Sequence, residues 1–368
     1  MKKLGFGLMR LPLINGTKTI DKDELIKMVD LFIAKGFTYF DTAYMYMDYQ
    51  SESVTKEVLV DRYPRDKFTI TSKLPTMYLK EVNDMERIFN EQLNKLGITY
   101  FDYYLLHNLN GNTLPTANKL DAFSFILNKK KEGKIKHIGF SFHDKASMLE
   151  EILIKHPEIE FVQLQINYID WDSPSIESRK CYEIATKYNK KVIVMEPVKG
   201  GILMNIPLKA KELFNSYNKD ASLASWALRF SASLDNVFMV LSGMSNLEQM
   251  IDNTNTFYDF KPLNEKEHEV IKEVVNIMNQ TNEIACTGCS YCTEGCPKNI
   301  PIPKYFDLYN SHIKNKNSNS SMYYTILTKT HSKASDCIKC HKCEKSCPQH
   351  LKITDLLNTV ANTFEKKN

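Results

Sequence analysis

Eight short apolar runs, beginning near Leu4, Phe37, Phe68, Tyr100, Ile135, Phe161, Val192 and Val237, alternate along this chain with stretches of helical periodicity. Leu25, Met28, Val29, Phe32 and Ile33 fall at i, i+3, i+4, i+7 and i+8, and Met85, Ile88, Phe89, Leu93 and Leu96 form a second such stripe. Strand-like runs start about 26 to 35 residues apart, stretching to about 45 before the last, which is the length of a strand plus a crossover helix. Repeated eight times, that unit predicts an α/β fold, a (β/α)8 TIM barrel, with an open doubly wound sheet as the alternative. Such a barrel takes about 250 residues, so a chain of 368 residues has room for one small appendage. The expected division is 1–282 for the barrel and 283–368 for the appendage. A helix is expected over 264–280, leading out of the barrel.

Composition narrows the partners. Apolar residues make up 43% and charged residues 25% of the chain, as in an ordinary globular protein. No apolar run approaches the roughly 18 residues of a membrane span, and the start MKKLGFGLMRLP lacks the apolar core of a secretion signal. The expectation is a cytoplasmic protein with no membrane partner. Lysines are scattered through helical segments and the formal charge is only +4, so nucleic acid is not expected as a partner.

Chemistry is written at the ends of the strand-like runs. FTYFDTAYMY, residues 37–46, passes from aromatic to polar at Asp41 and reaches Tyr46 five residues on; FTITSK ends in Lys73 and YFDYYLLH in His107. In a parallel barrel these ends meet at one rim, together with Ser141, Gln165, Glu196 and Ser242. A phenol with an ordinary pKa of about 10 is a poor acid, and a neighbouring ammonium favours its ionised form. Lys73 is expected to do this to Tyr46, with Asp41 holding Lys73 and His107 bonding the oxygen being protonated. That set suits reduction of a small carbonyl, hydride reaching the carbon as Tyr46 protonates the oxygen. Gly200, Gly201 and Gly243 lie in the last loops, where such barrels often bind phosphate through backbone amides.

Those four residues, in this order and strand context, resemble the catalytic tetrad of the aldo-keto reductases, over residues 4 to 255. The resemblance implies a nicotinamide cofactor, NAD(P)H, bound without a G-x-G-x-x-G motif, and none is found in the sequence. It puts Gly7, Met9 and Arg10 of GFGLMR near the nicotinamide or substrate, with Ser141 and Gln165 at the carboxamide. Met195 stands where the family usually stacks an aromatic ring, and Pro197, Val198, Lys199 and Gly200 follow along the cofactor. LSGMSNLEQMIDN resembles the adenine-end motif, with Ser242, Gly243, Met244, Gln249 and Asn253. NADP-preferring members carry Lys and Arg where this chain has Gly243 and Gln249, which favours NADH. Tyr44, Trp171 and Met9 are candidates to line a substrate pocket or to serve as packing. The alternative function is a nicotinamide-binding redox sensor or electron-transfer protein, and a third reading is a scaffold within a redox complex.

Eight of the nine cysteines lie in the appendage. Cys286, Cys289, Cys292 and Cys296-Pro297 form C-x2-C-x2-C-x3-C-P, and Cys337, Cys340, Cys343 and Cys347-Pro348 repeat it. This spacing predicts two [4Fe-4S] clusters. At about −2 each, they would offset the formal +4. Zinc more often takes two separated C-x-x-C pairs, and disulfides suit an oxidising compartment. CIKCH, residues 337–341, also fits a c-type haem attachment. As in two-cluster ferredoxins, the fourth cysteine is expected to cross over, grouping Cys347 with Cys286, Cys289 and Cys292, and Cys296 with Cys337, Cys340 and Cys343. The appendage resembles a small, mainly α-helical ferredoxin-like domain, and the whole chain resembles the iron–sulfur branch of the aldo-keto reductases. Residues 310–321 read as a polar, mobile loop and 353–364 as an amphipathic helix. The clusters are expected to serve electron transfer or redox coupling, with a redox partner protein or a flavin to reconcile two-electron hydride with one-electron transfer, or else to stabilise or sense rather than conduct.

Overall fold

The computed structural model of the chain describes residues 2–280, 283–314 and 319–365. Eight parallel strands close into a barrel in chain order: β1 (Leu4–Gly7), β2 (Tyr39–Asp41), β3 (Thr69–Pro75), β4 (Phe101–Leu109), β5 (Ile135–Phe142), β6 (Phe161–Gln165), β7 (Lys191–Met195) and β8 (Val237–Ser242). β1 pairs with both β2 and β8, so no strand edge is left open. This is the expected (β/α)8 architecture, followed by a C-terminal helical region.

The barrel interior is filled by side chains from several strands. Tyr39, Leu105, Phe161, Ile193, Met239 and Leu241 form one buried cluster, a packed plug of the kind such barrels carry. Gly5 makes room for it, since a Cβ there would lie 2.7 Å from the Leu241 side chain. Outside, helix Lys22–Ala34 turns Leu25, Met28, Val29 and Phe32 inward, its first turn capped by Asp21. Helix Val82–Leu96 buries Met85, Ile88, Phe89, Leu93 and Leu96 as the stripe predicts, and one polar residue with them, Gln92.

Two expected strand ends shift. β3 runs two residues beyond Lys73, where Pro75 pairs with His107, and β4 two beyond His107, where Leu109 pairs with Phe142 of β5. Tyr46 lies past the end of β2, opening the short turn Tyr46–Tyr49, whose backbone is left-handed at Met47, Asp48 and Tyr49.

The chain forms two compact units, one of Met1–Val198 and Phe214–Ile271, the other of Lys199–Leu213 and Lys272–Asn368. The expected boundary at 282 lies outside the described residues, and the second unit also takes in Lys199–Leu213. Within that unit Gly200 lies so close to Thr287 that a Cβ would meet its carbonyl at 2.6 Å. Ile300, Ile302, Tyr305, Phe306, Tyr324, Leu357 and Val360 form its core, all but Ile300 drawn from helices Ile302–Lys314, Ser320–Leu327 and Ile353–Phe364. The loop expected over 310–321 is corrected: its first residues complete helix Ile302–Lys314 and its last begin Ser320–Leu327. Tyr305, Phe306 and Tyr324 pin those two helices to the core, which outweighs the weak helix propensity of the polar run. Positions 315–318 lie outside the described residues. Among the described residues no helix is long and apolar enough to cross a membrane.

Candidate active site

At the C-terminal rim of the barrel the register brings Asp41, Lys73 and His107 onto three adjacent strands. Lys73 Nζ lies 2.7 Å from Asp41 Oδ2 and 2.7 Å from the Thr42 carbonyl oxygen, donating to both. Both side chains of the ion pair are buried, at 0% and 3% exposure. Burial lowers the pKa of Lys73 and raises that of Asp41, and their mutual charge opposes both shifts.

The Tyr46 ring completes the group. Lys73 Nζ stands 4.9 Å from its centroid, and the His107 ring meets it edge-on at 6.0 Å. Here the expected acidified phenol is corrected. Burial, then the carboxylates of Asp41 and Glu196, hold the Tyr46 pKa well above its ordinary value, and only Arg10 pulls downward. Tyr46 therefore stays protonated, the form a proton donor needs. Burial, with Lys73 and His143, pushes the His107 pKa well below the ordinary range. His107 is neutral, and its buried Nδ1 has no hydrogen-bond partner.

The residues expected at the cofactor, other than Lys199 and Gly200, come from the ends of β5 to β8 and β1 and the segments that follow them. Ser141 Oγ accepts from the Asn108 amide at 2.7 Å, Asn108 being left-handed at φ 61°. Gln165 Nε2 donates to Asp170 Oδ2 at 2.8 Å, and Asn167 Nδ2 to the same oxygen at 2.9 Å. Met195 ends β7, with Glu196, Pro197 and Val198 following. Lys199 and Gly200 belong to the second unit, where Lys199 Nζ donates to Gln349 Oε1 at 3.1 Å. Ser242 Oγ accepts from Asn253 Nδ2 at 3.0 Å. Gln249 Oε1 accepts from the Ser245 amide, and Ser245 Oγ donates to the Arg10 carbonyl, which ties the loop after β8 to the segment after β1. Gly7 sits against the Ser242 backbone, where a Cβ would come within 3.4 Å. Met9 and Arg10 are partly exposed, Gly243 is exposed and Met244 is fully buried.

Sequence reasoning missed the polar residues behind this rim: Glu52, Gln92, Asn167 and Asp170. Gln92 carried a signal, being an amide in the middle of an apolar helical stripe. Asn167 and Asp170 sit in a loop, with no periodicity to mark them as buried.

The structure sorts the second unit's cysteines into two fours. Cys286, Cys289, Cys292 and Cys347 line one small pocket, and Cys296, Cys337, Cys340 and Cys343 line another. The expected pair of [4Fe-4S] clusters is nevertheless corrected: among the described residues no group of three or more His, Cys, Asp or Glu could hold a metal ion. Metal bonds to cysteine require converging thiolates at about 2.3 Å. These side chains instead stand around two pockets. The metal-binding, ferredoxin and electron-transfer parts of the expected function fall with that arrangement.

Residues 3–276 match the model of the aldo/keto reductase family, and residues 285–353 match that of the 4Fe-4S dicluster domain. An aldo-keto reductase of Mycolicibacterium smegmatis is 25% identical over 248 residues, 67% of this chain and 82% of that protein. Among solved structures, the holo form of an aldo-keto reductase from Bacillus halodurans aligns with a TM-score of 0.60 at 23% identity, covering 74% of this chain and 91% of that one. An aldo/keto reductase from Klebsiella pneumoniae in complex with NADP and acetate has a TM-score of 0.60 at 18% identity, over 76% and 93% of the two chains. These structural likenesses bear on the fold. With three-quarters of its length matched to one family, the chain belongs to the aldo/keto reductases and is an NAD(P)-dependent oxidoreductase of that type.

Proposed function

We propose that this protein interconverts a small aldehyde or ketone and the corresponding alcohol, with Tyr46 as general acid and a nicotinamide as hydride carrier. The observation that carries this reading is the buried Asp41–Lys73 pair, whose ammonium lies under the Tyr46 ring with neutral His107 alongside. The residues present fit a dinucleotide. Buried Ser141 and Gln165 supply polar groups for a carboxamide, and the glycines at 7 and 243 leave the rim between β1 and β8 uncrowded. The Klebsiella relative's complex with NADP supports the same cofactor class. When bound, the reduced nicotinamide supplies hydride to the carbonyl carbon.

The chain's own residues supply the rest. His107 donates a hydrogen bond to the carbonyl oxygen, and Tyr46 gives that oxygen its phenolic proton. The negative charge left on Tyr46 is met by Lys73, which Asp41 and the Thr42 carbonyl hold in place. Reversal, with Tyr46 deprotonated first, oxidises the alcohol. Gly243 and Gln249 present no cation to a 2′-phosphate, which favours NADH.

The test is consumption of NADH and NADPH against a panel of aldehydes and ketones. Turnover by the native enzyme and its loss in Tyr46→Phe are expected. Nicotinamide binding without turnover of any carbonyl would overturn the reading.

A further inference from the structure

One buried ionisable group has no part in the proton transfer just described. Glu52, in the short helix Ser51–Thr55, has 0% exposure. Its Oε1 accepts from Ser72 Oγ at 2.7 Å and from Gln92 Nε2 at 2.6 Å, while its Oε2 is buried without a partner. Gln92 Nε2 also lies 2.8 Å from Ser72 Oγ and 3.2 Å from the Lys73 carbonyl oxygen. The far side of that amide is set by Tyr104, whose hydroxyl donates to Gln92 Oε1 at 2.5 Å. Burial, reinforced by Glu52, raises the Tyr104 pKa well above its ordinary value, so it remains a donor. The Gln92 amide is thereby turned with its N–H groups toward Glu52 and β3.

Burying a carboxyl with one oxygen unpaired is costly, and an apolar side chain would fill the space without that cost. What the carboxyl does is grip β3 at Ser72, the residue before Lys73, while its partner Gln92 reaches the Lys73 carbonyl. The same helix is anchored from its other side. Ser51 Oγ donates to the Leu8 carbonyl and bonds Thr42 Oγ1, and the Thr42 carbonyl accepts from Lys73 Nζ. Helix Ser51–Thr55 therefore touches both the backbone that carries Lys73 and the carbonyl that receives its ammonium.

The geometry points to Glu52 as a positioning residue for Lys73: through Ser72 and Gln92 it holds β3 so that the ammonium stays beneath Tyr46. This rests on the proposed proton transfer for its effect on turnover, but not for its effect on Lys73 itself. Glu52 also favours the charged form of Lys73. A shift of the ammonium by an ångström would cost about 10- to 100-fold in rate.

The test compares Glu52→Leu with Glu52→Gln, which keeps an acceptor oxygen for Ser72 and Gln92. The first readout is the Nζ resonance of Lys73 in protein labelled with 15N-lysine, assigned by its loss in Lys73→Met. The second is the split between kcat and KM for the nicotinamide and the carbonyl. Expected are a displaced Lys73 resonance in Glu52→Leu, a fall in kcat of about 10- to 100-fold with both KM values within about 2-fold, and return of both signals toward native in Glu52→Gln. If Glu52→Leu does not fold, Gln92→Leu, which removes the amide from the same grip, is read in the same way. An unmoved Lys73 resonance overturns the proposal whatever the activity. Absence of carbonyl reduction in the native enzyme overturns the proposed function, and the resonance still decides the role of Glu52.

Discussion

Lys73 and Asp41 form a fully buried ion pair, Nζ to Oδ2 at 2.7 Å, on the side of β3 that faces the Tyr46 ring. Removing the carboxylate strands an ammonium away from water. Asp41→Ala is therefore expected to lose about 3–5 kcal/mol of stability, read from urea unfolding, together with most carbonyl turnover. A loss below about 1 kcal/mol would mean that Lys73 is not held by this pair in solution.

Tyr46→Phe deletes one oxygen from a ring that is 8% exposed. Loss of a general acid costs about 10²- to 10⁴-fold in kcat. Nicotinamide affinity, measured by quenching of cofactor fluorescence, is expected to stay within about 2-fold, because none of the groups expected to hold the dinucleotide is touched. Equal loss of binding and turnover would point to a collapsed rim.

His107 gives the protein a pH dependence of definite sign. Its pKa is pushed well below the ordinary value of 6.5 when folded, whereas the unfolded chain takes up the proton at about that value. In the window below 6.5 the unfolded state binds more protons, so stability rises with pH there. The contribution is complete above about 6.5 and is lost as pH falls, with a slope of at most about 1.4 kcal/mol per pH unit. His107→Gln is expected to flatten the melting temperature between pH 6.5 and 5, measured by calorimetry, relative to the native chain.

Cofactor choice is expected to follow charge at the loop after β8. Gln249 is exposed there and uses its Oε1 to cap the Ser245 amide. Native enzyme is expected to show a higher kcat/KM with NADH than with NADPH, and Gln249→Arg to raise the NADPH value by about 5- to 10-fold through a guanidinium–phosphate pair. An unchanged ratio in the variant would show that the 2′ position lies elsewhere.

The eightfold rhythm and the polar ends of its strands were legible because both are local. Each apolar run and each helical stripe reports its own periodicity, and closure of a parallel sheet then has few solutions. Lengths were less legible: β3 and β4 overran Lys73 and His107 because pairing with a neighbouring strand, not residue type, sets where a strand stops. The sense of the Tyr46 shift could not be read either. The sequence names a cation that would acidify the phenol, but burial and the carboxylates of Asp41 and Glu196 raise its pKa instead.

The cysteine region divides along the same line. Spacing along the chain marked out the two motifs, and the fold distributes their eight cysteines between two cavities while forming no group fit for a metal ion among the described residues. Glu52 is the clearest case of a residue invisible beforehand. In the sequence it is one acidic residue in SESVTKEV, and only the packing of its helix against β3 and against helix Val82–Leu96 buries it with Ser72 and Gln92. By itself the sequence determined which chemical groups meet at the barrel's rim, since strand order and alternation dictate that. Tertiary structure alone decided their protonation and orientation, because both depend on desolvation and on partners far apart along the chain.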